Sequence, residues 1–201
     1  MAVTAGYSEA YERALRLAAQ AHQRQNRKAS DVPYITHLVH VSVILLRYGF
    51  PTEVAVAGLL HDVVEDQDVD LAQVEEAFGA RVAEVVAALS ERKVDSQGQK
   101  RPWQVRKREG MEQVGQASLE AVAVKAADAL HNLRCMALDA RQEGPRIWQR
   151  FSRGPEFLLD YYRQVLGIAR ERLPDHPLVD ELADALEELA RTVDEVGVDE
   201  R

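Results

Sequence analysis

The stretch Leu59-Leu60-His61-Asp62-Val63-Val64-Glu65-Asp66 places an imidazole and three carboxylates directly after an apolar segment. If one helix runs through this stretch, His61 and Glu65 lie four residues apart, and so do Asp62 and Asp66. The two pairs would then share one face of the helix. Carboxylates gathered in apolar surroundings are costly unless a cation lies among them. The stretch therefore predicts half of a metal site.

Two other candidate ligands, His37 and Asp128, also lie in apolar stretches of predicted helix. Taken singly, such a residue is more often a hydrogen-bonded core side chain than a ligand. With His61 and Asp62 they form a set of two imidazoles and two carboxylates. This donor set suits Mn, Fe, Zn or Co, and donor type alone does not choose among these metals.

The elements that must hold these residues are predicted to be helices. Apolar residues recur at helical spacing along almost the whole chain, and no stretch shows the alternation of a strand. Thr36 is expected to cap a helix over residues 37–48, and Asp70 to cap a short helix that ends at Phe78. Asp128 and Asn132 lie four residues apart on one face of a longer helix. The sequence predicts an all-α fold.

Composition narrows the class of protein. The 201 residues, 46% hydrophobic and 29% charged, predict a soluble globular domain without a membrane span or an export signal. A single cysteine, Cys135, fits a reducing cytoplasm, so we expect a cytoplasmic protein. The net charge of −8 argues against a general nucleic-acid binder.

Residues 91–109 reverse the sign of this charge locally, because lysines and arginines predominate there. Gly98 and Pro102 suggest a loop that leads into a helix from about Trp103. Two interpretations stay open for this segment. It is a solvated charged surface, as most charge runs are, or an anion-binding flap over the carboxylate site.

Joined together, these motifs resemble the HD-domain metal-dependent phosphohydrolases, and in particular the hydrolase domain of RelA/SpoT-type alarmone enzymes. The similarity is greatest to the small single-domain alarmone hydrolases of the metazoan SpoT homologue type, and it runs from about Tyr7 to about Leu173. The residues that carry it are Arg27-Lys28, Pro33-Tyr34-Ile35-Thr36-His37, residues 59–66, Phe78-Gly79 and residues 125–134.

The resemblance implies a single-domain bundle of about ten helices over residues 1–201, with a core from about 7 to 173 and a C-terminal helix over about 178–193. It implies an enzyme that removes the 3′-diphosphate of ppGpp or pppGpp, giving GDP or GTP and pyrophosphate. The expected cofactor is Mn²⁺, with other divalent transition metals as alternatives, held by His37, His61, Asp62 and Asp128.

The resemblance also implies catalytic and substrate-binding roles. Glu65 and Asp66 match the acidic pair that positions and activates the attacking water. The expected substrate contacts are Arg27, Lys28, Lys93, Arg106, Asn132, Arg134 and Tyr161.

Two other functions stay open at this point. One is an HD phosphohydrolase that acts on another nucleotide, such as NADPH, and the other is a sensor that binds the alarmone without cleaving it. The sequence does not choose between ppGpp and pppGpp, nor does it give the oligomeric state. The apolar stripe of residues 178–193 would pack either on the bundle or on a second copy in a homo-oligomer.

Overall fold

A computed structural model describes residues 8–28, 30–67, 69–95, 97–151 and 153–197, and of Asp66 it describes only the backbone. The regular elements of these residues are helices, which confirms the predicted all-α fold. In chain order they are α1 (Glu9–Ala21), α2 (Ile35–Arg47), α3 (Thr52–Leu60), α4 (Val63–Asp66), α5 (Leu71–Phe78), α6 (Ala80–Leu89), α7 (Trp103–Gln116), α8 (Leu119–Glu143), the 3₁₀ helix Gly144–Arg150, α9 (Pro155–Arg172) and α10 (Pro177–Val196).

The chain divides into two compact units, Met1–Val124 and Lys125–Arg201, and the division falls within α8. The N-terminal unit is built around α3, which packs against α1, α2 and α6. Residues 54–60 of this helix are all buried, so α3 is apolar on every side. A helix of this kind belongs in the middle of a core, and whatever follows it starts from the interior.

The helix that we expected to run through the His-Asp stretch is interrupted there. α3 ends at Leu60, His61 and Asp62 form a turn, and α4 starts at Val63. At this break, His61 Nδ1 lies 2.9 Å from the carbonyl oxygen of Gly58. In a continuous α-helix that carbonyl would accept from the N–H of Asp62, so the imidazole competes with the backbone ladder where the helix ends.

The two predicted caps have different outcomes. Asp70 caps α5 as expected, because its side chain accepts from the N–H of Gln73 at 2.8 Å and the Gln73 side chain returns a bond to the Asp70 N–H. The prediction for Thr36 was wrong. α2 begins at Ile35, and the Thr36 hydroxyl donates to the carbonyl of Pro33 at 2.8 Å instead of accepting from the helix.

In the C-terminal unit, α9 and α10 pack against each other, and α10 also contacts the 3₁₀ helix. Both helices begin with proline, which suits a first helical position whose N–H has no partner in the helix. The apolar stripe of α10 is buried in the chain, for example at Leu182 and Leu189. Gly144, with φ of +70°, follows the end of α8, and a 3₁₀ helix that the sequence did not predict begins there.

Among the described residues, none of the helices is long and apolar enough to cross a membrane.

Gly58 provides a test of the packing around α3. A Cβ at this position would lie 2.6 Å from Cδ1 of the fully buried Leu45 on α2. We therefore expect Gly58→Ala to lower the free energy of unfolding by about 1–3 kcal/mol, measured by urea denaturation.

The matched control is Gly167→Ala on α9, where an added Cβ meets nothing within 4 Å. There the same change should stabilise the helix by about 0.5–1 kcal/mol. Similar effects at both glycines would show that α2 and α3 do not approach as closely as described.

Candidate metal centre and catalytic carboxylate

The end of α3 and the start of α2 place two imidazoles and a carboxylate together in the N-terminal unit. The rings of His37 and His61 lie 5.4 Å apart, centroid to centroid, and both residues are buried. Asp62 Oδ2 lies 3.1 Å from His61 Nε2 and 4.0 Å from His37 Nε2. Three of the four predicted metal ligands therefore direct donor atoms to one place.

The state of His61 suits metal binding. When this imidazole is neutral, the Gly58 carbonyl oxygen, which only accepts, places its proton on Nδ1 and leaves the lone pair on Nε2, the nitrogen nearest Asp62. A backbone carbonyl bound to the other ring nitrogen is a common way to orient a histidine ligand. Two imidazole nitrogens and a carboxylate oxygen are ligands that divalent transition metals accept, so the donor set fits such an ion.

Tyr34 holds the carboxylate of this group, and the sequence had not assigned it a role. Its hydroxyl donates to Asp62 Oδ2 at 2.6 Å. The Tyr34 ring stacks on His22 at 5.0 Å and meets His37 edge-on at 5.5 Å. The guanidinium of Arg27, a predicted substrate contact, lies 5.6 Å from the Tyr34 ring centroid. Tyr34 thus connects the loop before α2 to the candidate metal ligands.

Glu65 lies in α4, the short helix after the turn, and its carboxylate has partners in the segment between α6 and α7. The backbone N–H of Glu91 donates to Glu65 Oε2 at 3.2 Å, and Lys93 Nζ lies 3.6 Å from Glu65 Oε1. Burial raises the pKa of Glu65 above its usual value, and the negative charges of Glu91 and Asp62 raise it further by smaller amounts. The hydrogen bond from the Glu91 N–H and the positive charge of Lys93 lower the pKa, but they do not cancel the increase. Raising the pKa makes a carboxylate a stronger base, which suits a group that takes a proton from water. The side chain of Asp66, the second predicted catalytic acid, lies outside the described residues.

The basic segment contains a second buried carboxylate, Glu91, whose side chain is 9% exposed. Arg106 Nη1 donates to Glu91 Oε2 at 3.2 Å, and Lys107 Nζ to Oε1 at 2.5 Å. Lys93 and Arg106, both predicted substrate contacts, are thus paired with carboxylates of the same unit. Lys28 is exposed on the loop before α2. Sequence reasoning missed Glu91 and Lys107, although both lie in the charge run that it singled out.

The other predicted site residues belong to the C-terminal unit. Both oxygens of Asp128 are bound on α8: Lys125 Nζ lies 2.9 Å from Oδ2, and Asn132 Nδ2 donates to Oδ1 at 2.6 Å. Lys125 Nζ also lies 5.7 Å from the ring centroid of Tyr161. Burial lowers the pKa of Lys125, but the charge of Asp128 and contacts with Tyr161 outweigh it and leave the pKa raised.

These contacts hold the Asp128 carboxylate in one orientation. The sequence placed Asp128 and Asn132 on one helix face but gave Lys125 no role, although its i, i+3 spacing from Asp128 puts it on the same face. Arg134, by contrast, pairs with Glu188 on α10, as does Arg141. Its role as a substrate contact stays a prediction.

Comparison with known proteins identifies the family. A model of the HD domain matches residues 14–154, and the chain belongs to this family. HD domains depend on a divalent metal, in agreement with the donor atoms of His37, His61 and Asp62.

Among curated proteins, the chain is similar to guanosine-3′,5′-bis(diphosphate) 3′-pyrophosphohydrolase MESH1. It is 41% identical to the mouse protein over 120 residues, which are 58% of this chain and 64%, less than two thirds, of the mouse protein. It is 36% identical to the Drosophila melanogaster protein over 147 residues, which are 72% of this chain and 76% of that protein.

Two solved structures show the same fold. One is a metazoan ortholog of SpoT that hydrolyzes ppGpp, with a TM-score of 0.68, 28% identity and coverage of 96% of this chain and 99% of that chain. The other is lmo0812 from Listeria monocytogenes, with a TM-score of 0.66, 32% identity and coverage of 82% and 99%. The predicted resemblance to small HD-type alarmone hydrolases is confirmed.

Proposed function

We propose that the chain is a metal-dependent 3′-pyrophosphohydrolase, which cleaves ppGpp or pppGpp to GDP or GTP and pyrophosphate. The observation that carries the proposal is the convergence of His37, His61 and Asp62 in the unit that also holds Glu65 as a half-buried carboxylate. It is supported by the names of the MESH1 relatives and by the fold shared with a ppGpp hydrolase.

The proposed metal ligands are His37, His61, Asp62 and Asp128, and the proposed metal is Mn²⁺. The first three are supported by the geometry of the N-terminal unit, and Asp128 by its place in the family motif and its fixed carboxylate. Such a metal, when bound, lowers the pKa of a coordinated water and neutralises charge on phosphoryl oxygens.

The chain's own residues supply the rest of the proposed mechanism. Glu65, assisted by Asp66, orients the attacking water and takes a proton from it. Tyr34 fixes the Asp62 carboxylate, and the Gly58 carbonyl keeps the His61 lone pair on Nε2. Cationic and polar side chains bind the diphosphates and the nucleoside: Arg27, Lys28, Lys93, Arg106, Asn132, Arg134 and Tyr161. A cytoplasmic location, where a nucleotide substrate would be available, is part of the proposal.

Two substitutions separate metal binding from chemistry. His61→Ala should lose Mn²⁺ and turnover together, because it removes a ligand. Glu65→Gln should retain Mn²⁺ and lose turnover by about 10²–10⁴-fold, because an amide cannot accept the proton. Bound metal is measured by mass spectrometry of the purified variants, and GDP and pyrophosphate by anion exchange, with and without added Mn²⁺.

The control is His40→Ala, which removes an exposed imidazole from the same helix as His37 and should keep both metal and turnover. The assay includes NADPH and nucleoside monophosphates beside ppGpp. Cleavage of NADPH in preference to ppGpp would make NADPH, instead of ppGpp, the proposed substrate. Tight ppGpp binding without turnover would identify the protein as a sensor. Near wild-type turnover by Glu65→Gln would remove Glu65 from the mechanism.

Tyr34→Phe tests the hydrogen bond to Asp62. The phenyl ring can keep the contacts with His22 and His37, but the hydrogen bond from the Tyr34 hydroxyl to Asp62 Oδ2 is lost. We expect the dissociation constant for Mn²⁺, measured by titration calorimetry, to rise about tenfold, as for other groups that orient metal ligands.

The matched control is Tyr11→Phe, which removes a hydroxyl bonded to Ser42 Oγ at 2.7 Å in the same unit. It should leave Mn²⁺ affinity unchanged. If Tyr34→Phe binds Mn²⁺ as tightly as the wild type, Tyr34 does not position Asp62.

A further inference from the structure

Glu91 is a carboxylate buried inside the basic segment. A surface that binds anions would not be expected to contain a carboxylate, because its negative charge repels them. Its side chain is less exposed than those of Arg106 (19%) and Lys107 (28%), the two cations bound to it. A buried carboxylate is stable only with such partners, so Glu91 and the two cations hold one another in place.

The contact surface of α7 shows that this attachment is local and specific. Trp103, Arg106, Lys107 and Gly110 recur at helical spacing on one face of α7, and Lys107 Nζ lies 5.8 Å from the Trp103 ring centroid. A Cβ at Gly110 would lie 3.7 Å from Glu91 Cγ, so this face of the helix lies against the Glu91 side chain.

In the N-terminal half of α7, Trp103 and Val105 are half-buried. The buried residue of the helix is Val114, near its C-terminal end. Close to Val114, Gln113 Nε2 donates to the carbonyl of Ala87 at 2.8 Å. The polar contacts to Glu91 add to these half-buried apolar residues in holding the N-terminal half of α7.

The backbone of the same residue contacts the proposed catalytic base. The Glu91 N–H donates to Glu65 Oε2 at 3.2 Å, and Lys93 lies beside the other oxygen. One residue thus touches Glu65 through its main chain and two cations of α7 through its side chain. Three cationic side chains, Lys93, Arg106 and Lys107, thus lie at the carboxylates of Glu65 and Glu91, and they supply the kind of donors that a phosphate group accepts from.

We propose that Glu91 is a positioning residue that holds Arg106 and Lys107 ready for the phosphate groups of the substrate, next to the Glu65 carboxylate. The inference rests on the proposed function, because it takes this cluster to face a phosphorylated substrate. Long cationic side chains lose conformational freedom when they bind a phosphate, and prior attachment to Glu91 reduces that loss.

Glu91→Gln tests the proposal, since it keeps the backbone N–H on Glu65 and the shape of the side chain but removes the charge. We expect the KM for ppGpp and the dissociation constant for inorganic pyrophosphate, measured by calorimetry, to rise about three- to tenfold. The kcat and the Mn²⁺ affinity should change by less than about twofold, because Glu65 keeps its partner. A general loss of structure would instead lower kcat and Mn²⁺ affinity together.

The matched control is Glu112→Gln, the same change on the exposed side of α7, where Glu112 is 65% exposed and lies 3.9 Å from Arg108. Glu112→Gln should leave the KM for ppGpp, the dissociation constant for pyrophosphate, the kcat and the Mn²⁺ affinity unchanged. In the Arg106→Gln/Lys107→Gln double variant, adding Glu91→Gln should have almost no further effect on KM, because the cations that it positions are gone.

Each outcome decides a different point. If Glu91→Gln lowers KM, or if its effect adds fully to that of the double variant, Glu91 only repels the substrate and the proposal is overturned. Wild-type protein that cleaves no ppGpp would overturn the proposed function, while weaker pyrophosphate binding by Glu91→Gln would still support the role of Glu91. Wild-type protein that binds neither ppGpp nor pyrophosphate would overturn both the proposed function and the proposed role of Glu91.

Discussion

The site depends on one electrostatic constraint, which is that carboxylates cannot be buried beside imidazoles and one another without compensating positive charge. Asp62, Glu65 and Glu91 all lie in the N-terminal unit, and each is held by specific donors: the Tyr34 hydroxyl, the Glu91 N–H with Lys93, and the Arg106–Lys107 pair. Asp62 accepts from the Tyr34 hydroxyl and lies near two imidazoles, and a metal ion bound by these imidazoles would add positive charge beside it.

The architecture supplies this arrangement through α3. Because α3 is buried on every side, the residues after Leu60 emerge within the core. The bond between His61 and the Gly58 carbonyl then does two things at once. It orients the imidazole with Nε2 towards Asp62, and it lies at the turn that separates α3 from α4. Gly58 itself must be small, because α2 passes against it at Leu45.

Much of this could be read from the sequence, and the rest could not for identifiable reasons. Apolar spacing predicted the helices, and the side chain of Asp70 predicted a cap, because both signals are local. The same spacing gave a continuous helix through His61, since periodicity does not register a side chain that competes for a backbone carbonyl. Thr36 failed as a cap for a similar reason: its hydroxyl bonds to Pro33, one turn earlier.

The partners of the charged residues were the least predictable part. Tyr34 reaches Asp62 across 28 residues of sequence, and Glu91 meets Lys107 across 16. Composition showed that residues 91–109 were basic but could not show which cations were bound to carboxylates. The contacts of Lys93, Arg106 and Lys107 indicate that the segment is an ordered group of charges next to Glu65.

The metal site can be located in a crystal structure of the full chain grown with Mn²⁺, from diffraction data on both sides of the manganese absorption edge. We expect one strong anomalous peak about 2 Å from Nε2 of His37 and of His61, with the carboxylates of Asp62 and Asp128 as the remaining protein ligands. A peak coordinated by other side chains, or a crystal whose protein binds Mn²⁺ without contact to His37 and His61, would contradict this expectation.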